Sequence, residues 1–385
     1  MKIAYYMPFK TMGHQNPSGD LIIGTEIFDH LQQKGNTIEI VSKLRARWIY
    51  YNPIKLLKLF FEKRSVVKKL QSPIPDIWLS YHSYYKAPDL LGPYCCKKLA
   101  IPYVIFQGIY STKRRKKLTT LIGFTLNKKS LQSADHIFTN KRRDLKNLAR
   151  IIPPEKLTYI APGIQPQDFK FSDKERKKNR MLWACGNDTV IMTAAMMRPG
   201  VKTEGISRVI QSCSRLHDKG HQIRLIIAGD GECRNQLEQQ ANRQLPGRVM
   251  FLGKIQRNNL YKYYSSSDIF AFPGIQESLG MVYLEAQSCK LPVVALEDWG
   301  AKEAICPGKT GFLSPASEPE SFTENIERLI LDPQLRHTLG HNGEKHIRTN
   351  HDLLKNYELL EEKLKGLSAL TTRNKRAPSD TASAV

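Results

Sequence analysis

Two glutamates eight positions apart, Glu277 and Glu285, bracket the stretch of this chain best suited to chemistry, PGIQESLGMVYLEAQSCKLPVV at 273–294. It reads as a strand end, a glycine-bearing turn, a helix and a second strand. Gly280 stands where the helix must start, so the N–H groups of Leu279, Gly280 and Met281 would lack helical partners and carry positive potential. Such a terminus can cradle a diphosphate. Eight positions is a little over two helical turns. Glu277 would therefore sit on the loop at the mouth, and Glu285 on the helix two turns deeper. Carboxylates accept hydrogen bonds from paired hydroxyls, which suits a sugar at one end and a ribose at the other. From spacing alone, an amphipathic helix with two solvated acids fits equally well.

Two further loops carry matching chemistry. One follows an apolar run at 190–196 and holds Arg198 and Lys202; the other follows 223–228 and reads GDGE, beginning at Gly229. Ligands of open α/β sheets bind beyond the carboxyl ends of the strands. Basic residues, a glycine turn and a helix start with two acids would meet there on one nucleoside diphosphate, with Gly229 and Gly274 among the residues holding the donor.

The elements that must position these loops alternate along the whole chain. Strand signals fall at 2–9, 37–42, 77–82, 102–107, 136–140 and 157–160, with helical segments between several of them. This is the pattern of a parallel sheet covered by helices. A polar, basic stretch at 166–188 reads as a linker. Strand signals resume at 190–196, 223–230, 249–254, 269–273, 292–296 and 311–313. The expected architecture is α/β, two Rossmann-like domains at 1–165 and 189–350 whose parallel sheets face a central cleft. A helix at about 352–367 would pack back on the first domain, and the polar tail at 371–385 is expected to be disordered.

Composition narrows the classes. The 385 residues include 41% hydrophobic and 25% charged side chains, ordinary for a globular protein. No run approaches the roughly 20 apolar residues of a membrane-spanning helix, and the N-terminus lacks a secretory signal. The seven cysteines show no metal-type spacing, which fits a reducing compartment and argues against zinc. The expected location is cytoplasmic. A formal charge of +23 predicts a polyanionic partner: nucleic acid, anionic lipid or a phosphorylated substrate.

The ordered series IIAGDGECRNQLE, VMFLGKI, LYKYYSSSDIFAFPGIQESLGMVYLEAQSCKLPVVAL and GAKEAICPGKTGFL resembles the retaining glycosyltransferases of family 4, which have the GT-B fold. The match is dense over about 156–345 and loose before it. The resemblance implies that Glu277 contacts hydroxyls of the donor sugar and Glu285 binds the ribose. It also implies that Leu279, Gly280 and Met281 hold the diphosphate. An Arg and a Lys of the family neutralise the leaving diphosphate, electrostatic catalysis aimed at developing charge. In AMMRPGVKTEG the candidates are Arg198 and Lys202, four apart where the family has five. No metal or other cofactor is expected.

The N-terminal half departs further from the family. Its glycine-rich loop is reduced to Ser18, Gly19 and Asp20, and Gln107 stands where many members carry a His near the transferred sugar. A Gln hydrogen-bonds but does not titrate. His82 is the substitute candidate, with a structural role as the alternative.

Basic residues interleaved with aromatic and aliphatic ones concentrate at 43–70 and 113–129. They suit helices lying in an anionic lipid interface. The alternative is a solvated helix face. Nucleic acid is not expected, because no RNA-recognition signature is present. The expectation is a peripheral enzyme on the inner face of the cell membrane, moving sugar from a nucleotide-sugar donor to a glycan or lipid-linked acceptor during cell-surface polysaccharide or lipopolysaccharide synthesis. A nucleotide-sugar epimerase, a phosphorylase or a non-catalytic basic binding protein are the rivals.

Overall fold

The structure, a computed structural model, describes residues 1–13 and 19–376. It divides into two compact units, one of Met1–Ala161 with Leu354–Val385, the other Pro162–Leu353.

The first unit holds six parallel strands: β1 (Lys2–Tyr6), β2 (Thr37–Ser42), β3 (Ile77–Ser83), β4 (Tyr103–Gly108), β5 (His136–Thr139) and β6 (Leu157–Tyr159), ordered β2-β1-β3-β4-β5-β6. Every residue of β3 and β4 is buried. Burial on both faces is why β4 reads as a near-continuous apolar run, while β3 also buries Ser80, His82 and Ser83. The closing helix, Leu353–Arg376, is nine residues longer than the sequence suggests at its far end, so residues 371–376, expected as disordered tail, are helical. The remainder of that tail lies outside the described residues. Asn36 donates to Glu361 (2.9 Å) and Lys34 pairs with Glu358 (2.7 Å), which ties this helix to the start of the chain.

The second unit repeats the architecture with β7 (Thr189–Ala194), β8 (Ile223–Ala228), β9 (Val249–Gly253), β10 (Ile269–Ala271), β11 (Val293–Leu296) and β12 (Gly311–Ser314), ordered β12-β11-β10-β7-β8-β9 and all parallel. From β7 the chain builds outward through β8 and β9, then returns to lay β10 on the other side of β7. That is the doubly wound Rossmann order, and β7/β10 is its switch point.

The expected linker at 166–188 needs correction. It contains a helix, Asp173–Leu182, capped by Ser172, whose Oγ accepts from the Glu175 N–H. Arg176 and Arg180 of this helix both grip the partly buried Asp268, and Trp183 stacks on Tyr263. Two of the charges that suggested a solvated linker, Arg176 and Arg180, are held instead in partly buried ion pairs within the second unit. Among the described residues no helix is long and apolar enough to cross a membrane.

Candidate active site

The carboxyl ends of β7 and β10 carry the residues that matter. The loop after β7 runs to Gly200, and the helix Val201–Asp218 begins directly after it, with Lys202 in its first turn. The loop after β10 carries Glu277. Lys202 Nζ and a carboxylate oxygen of Glu277 form a short ion pair across the switch point. Both side chains are partly exposed, 27% and 20%. The Lys202 ammonium also lies 5.3 Å from the centre of the Phe272 ring. Arg198, by contrast, is exposed and has no ion pair among the described residues, while its carbonyl accepts from Thr203 Oγ1 (2.7 Å).

Glycines let these loops approach one another. Gly229 and Gly231 have φ of 139° and 149°, and a Cβ on either would strike the carbonyl oxygen of Ala195 or of Met197. The close pass is locked by Ala195 N–H to Ala228 O (3.0 Å) and Met197 N–H to Asp230 O (2.9 Å). In the Glu277 loop, Gly274 and Gly280 have φ of 65° and 69° and pack against Tyr283. The loop is pinned by Gly300 N–H to Glu277 O (2.9 Å) and Gln276 N–H to Asp298 (2.7 Å).

Gly280 is the N-cap of the helix Met281–Ser288. The N–H groups of Leu279, Gly280 and Met281 make no hydrogen bond to another described residue. They form an anion-seeking helix start beside Glu277 and Lys202.

Glu285 lies within that helix and is only 4% exposed, so the picture of two solvated acids does not describe it. Its carboxylate accepts from Arg257 Nε (2.9 Å) and Tyr264 Oη (3.2 Å). Burial raises its pKa above the ordinary carboxylate range, and Arg257 opposes the rise. Arg257 and Tyr264 were not legible as site residues. Nothing in the spacing of the Arg257 segment marks it, and contact across the fold alone brings it to Glu285.

In the first unit His82 and Gln107 end adjacent strands, β3 and β4, with φ of 67° and 64°. Non-glycine residues seldom take such values, and they cluster at functional sites. Gln107 is 2% exposed; its amide donates to Asp144 (3.2 Å) and accepts from the Asn140 N–H (3.2 Å). His82 is buried beside Phe9 and stacks on Tyr84. Ser18 lies outside the described residues, and the first helix, Gly19–Gln33, opens at Gly19 and Asp20. Among the described residues no cluster of three or more His, Cys, Asp or Glu is arranged to hold a metal ion.

Two Rossmann-type units, with a glycine-lined anion cradle at the switch point of the second, define a GT-B protein. In overall structure the chain is similar to Anabaena HepE solved in complex with UDP, with TM-score 0.71 at 21% identity, covering 95% of this chain and 100% of that one. Residues 191–346 match the model of the family described as glycosyl transferases group 1. Among curated relatives, the capsular polysaccharide biosynthesis glycosyltransferase CapM of Staphylococcus aureus is 29% identical over 48% of each chain. A D-inositol 3-phosphate glycosyltransferase of Kribbella flavida is 22% identical over 85% of this chain and 82% of its own. The chain spans about half the length of CapM and of several other curated relatives that it matches.

Proposed function

We propose that the protein is a retaining glycosyltransferase that moves a sugar from a nucleoside-diphosphate donor to a glycan or lipid-linked acceptor in bacterial cell-surface polysaccharide or lipopolysaccharide synthesis. The observation that carries this reading is the Lys202–Glu277 ion pair beside the Gly280 helix start, at the switch point of a group 1 glycosyltransferase domain.

In this reading the donor diphosphate takes the N–H groups of Leu279, Gly280 and Met281 and draws Lys202 away from Glu277. Arg198, exposed and without an ion pair among the described residues, adds the second cation. Glu277, released, accepts hydrogen bonds from sugar hydroxyls, and Glu285 takes the ribose. The bond from the anomeric carbon to the diphosphate oxygen breaks with its electron pair on that oxygen. The acceptor hydroxyl oxygen bonds to the same face of the carbon, and its proton passes to the departing diphosphate. Charge growing on the leaving oxygen meets Lys202, Arg198 and the helix start, so the protein supplies the electrostatic stabilisation. No protein nucleophile and no metal ion is needed.

The first unit would take the acceptor and dock on the inner face of the membrane. Its helix Pro53–Lys69 exposes Leu57 and Phe61, and helix Leu118–Gln132 exposes Leu118 and Ile122, all amid lysines and arginines. Tyr51 Oη donates to the Thr119 carbonyl (3.0 Å), which holds the two segments side by side. Apolar side chains on a cationic face fit an anionic lipid interface.

Calorimetric titration of wild type, Lys202→Ala and Glu285→Ala with UDP, GDP, ADP and CMP tests the reading. UDP comes first, because HepE binds it. One nucleotide should bind and the variants should lose it. No binding of any of them at millimolar concentration would sink the proposal.

A further inference from the structure

The sheet of the second unit has another opening, at the edge opposite Glu277. A cavity of about 490 Å³ is lined by Arg176, Asp268, Lys290, Arg336, His337 and His341, with Phe171 and Pro292 also in its walls. Asp268 directly precedes β10 and Pro292 directly precedes β11, whereas Glu277 lies beyond the carboxyl end of β10. The cavity is therefore at the amino ends of the strands and shares no residue with the donor site.

Its charge is unbalanced. Asp268 is the one acid among these lining residues, and its oxygens already accept from Arg176, from Arg180 (2.8 Å) and from the Val190 N–H (2.8 Å). Burial works to raise the pKa of that carboxyl, yet the two guanidiniums hold it below the ordinary value. It has little left to offer Arg336 or Lys290. Arg336 donates through Nη1 to the carbonyls of Leu329 (2.6 Å) and Ile330 (2.9 Å), and its Nε and Nη2 have no hydrogen bond among the described residues. Desolvation pushes the Arg336 pKa down, Asp268 and Asp332 work against that, and Arg176 and Arg180 add to it. Lys290 meets the Glu344 carboxylate only at 3.6 Å and lies 5.4 Å from the centre of the Phe171 ring. Cations in excess, with donors to spare, call for an anion of several oxygens.

We propose that this cavity binds a phosphorylated small molecule, with Arg336 and Lys290 taking the phosphate oxygens and Phe171 flanking the organic part. The volume falls in the range of small-ligand pockets, roughly 300–1,000 Å³, so a sugar phosphate is of suitable size. A ligand seated there stabilises the second unit by mass action without entering the transfer site.

The test is calorimetry with glucose 1-phosphate and with pyrophosphate, on wild type, Lys202→Ala, Lys290→Gln and Arg336→Gln. At least one probe should bind, survive Lys202→Ala, and weaken about tenfold or more in the two cavity variants, as loss of a charge-assisted phosphate contact implies. Lys290→Gln keeps both carbonyl bonds of Arg336, so it reports on the cavity even if Arg336→Gln fails to fold. No binding of either probe to Lys202→Ala at millimolar concentration overturns the proposal. So does binding that Lys290→Gln leaves unchanged. Neither donor sugar nor acceptor is present, so the result stands apart from the transferase reading.

Discussion

The Lys202 ammonium and the Glu277 carboxylate neutralise each other across the β7/β10 switch point, although the proposed mechanism gives each a different part of the donor. A partly exposed pair of this kind contributes only about 0–1 kcal/mol to stability. Lys202→Met and Glu277→Gln should therefore unfold within about 1 kcal/mol of wild type. Transfer should nevertheless fall by about 10²-fold or more in Lys202→Met, because a charge aimed at the leaving group is lost. Chemical denaturation and a donor-turnover assay on the same preparations check this. A Lys202→Met protein that turns over normally would remove Lys202 from the mechanism.

Glu285 depends on Arg257 for its charge. In Arg257→Ala the buried carboxylate keeps only Tyr264, at a cost of about 1–3 kcal/mol near neutral pH. A carboxyl raised in the folded state loses stability as pH climbs from its unfolded value, about 4.3, through the raised folded one. The deficit of the variant should then be larger at pH 8 than at pH 5. Guanidinium unfolding at both pH values measures it, and equal deficits would show that the carboxylate charge is not the cause.

His136 predicts acid sensitivity of the first unit. Burial first, and Lys363 second, lower its pKa to about 4 from an ordinary 6.5, while its ring meets Thr158 Oγ1 at 2.9 Å. The unfolded chain binds this proton more readily, so stability is lost as pH falls from about 6.5 toward about 4, by up to about 3 kcal/mol. His136→Gln should flatten that part of the profile. An unchanged slope in urea melts across this window would assign the acid sensitivity elsewhere.

Membrane docking is tested by Leu57→Ser, Phe61→Ser and Leu118→Ser in one protein. These side chains are 59%, 60% and 85% exposed, so thermal stability should hardly change. Co-sedimentation with vesicles rich in anionic lipid should drop about tenfold or more, since each buried apolar side chain contributes over 1 kcal/mol. Retention of full binding would leave the exposed apolar residues without this role.

Strand positions were legible in the sequence, and the side-chain contacts around the candidate site less so. Strands such as Tyr103–Gly108 and Val293–Leu296 stand in the sequence as short apolar runs, because a doubly covered parallel sheet buries both of their faces. Gly280 was legible because a helix start after a strand needs a residue that tolerates positive φ, here 69°. Arg257 was not, since its pairing with Glu285 depends on tertiary contact between residues 28 positions apart. The helix Asp173–Leu182 was misread because a charged run looks the same whether solvated or, like Arg176 and Arg180, bound to the partly buried Asp268. Composition reports charge, not the dielectric in which it sits.

The first unit is discontinuous: Leu354–Val385 completes a body begun at Met1. During synthesis its opening strands therefore wait for the whole intervening unit before the helix that binds Asn36 and Lys34 emerges. At about 5–20 residues per second the delay is on the order of ten to forty seconds. Throughout it the surface reserved for that helix is uncovered, while the second unit, contiguous in the chain, is free to fold first. A ribosome that stops near residue 350 would release a finished second unit attached to an unfinished first one.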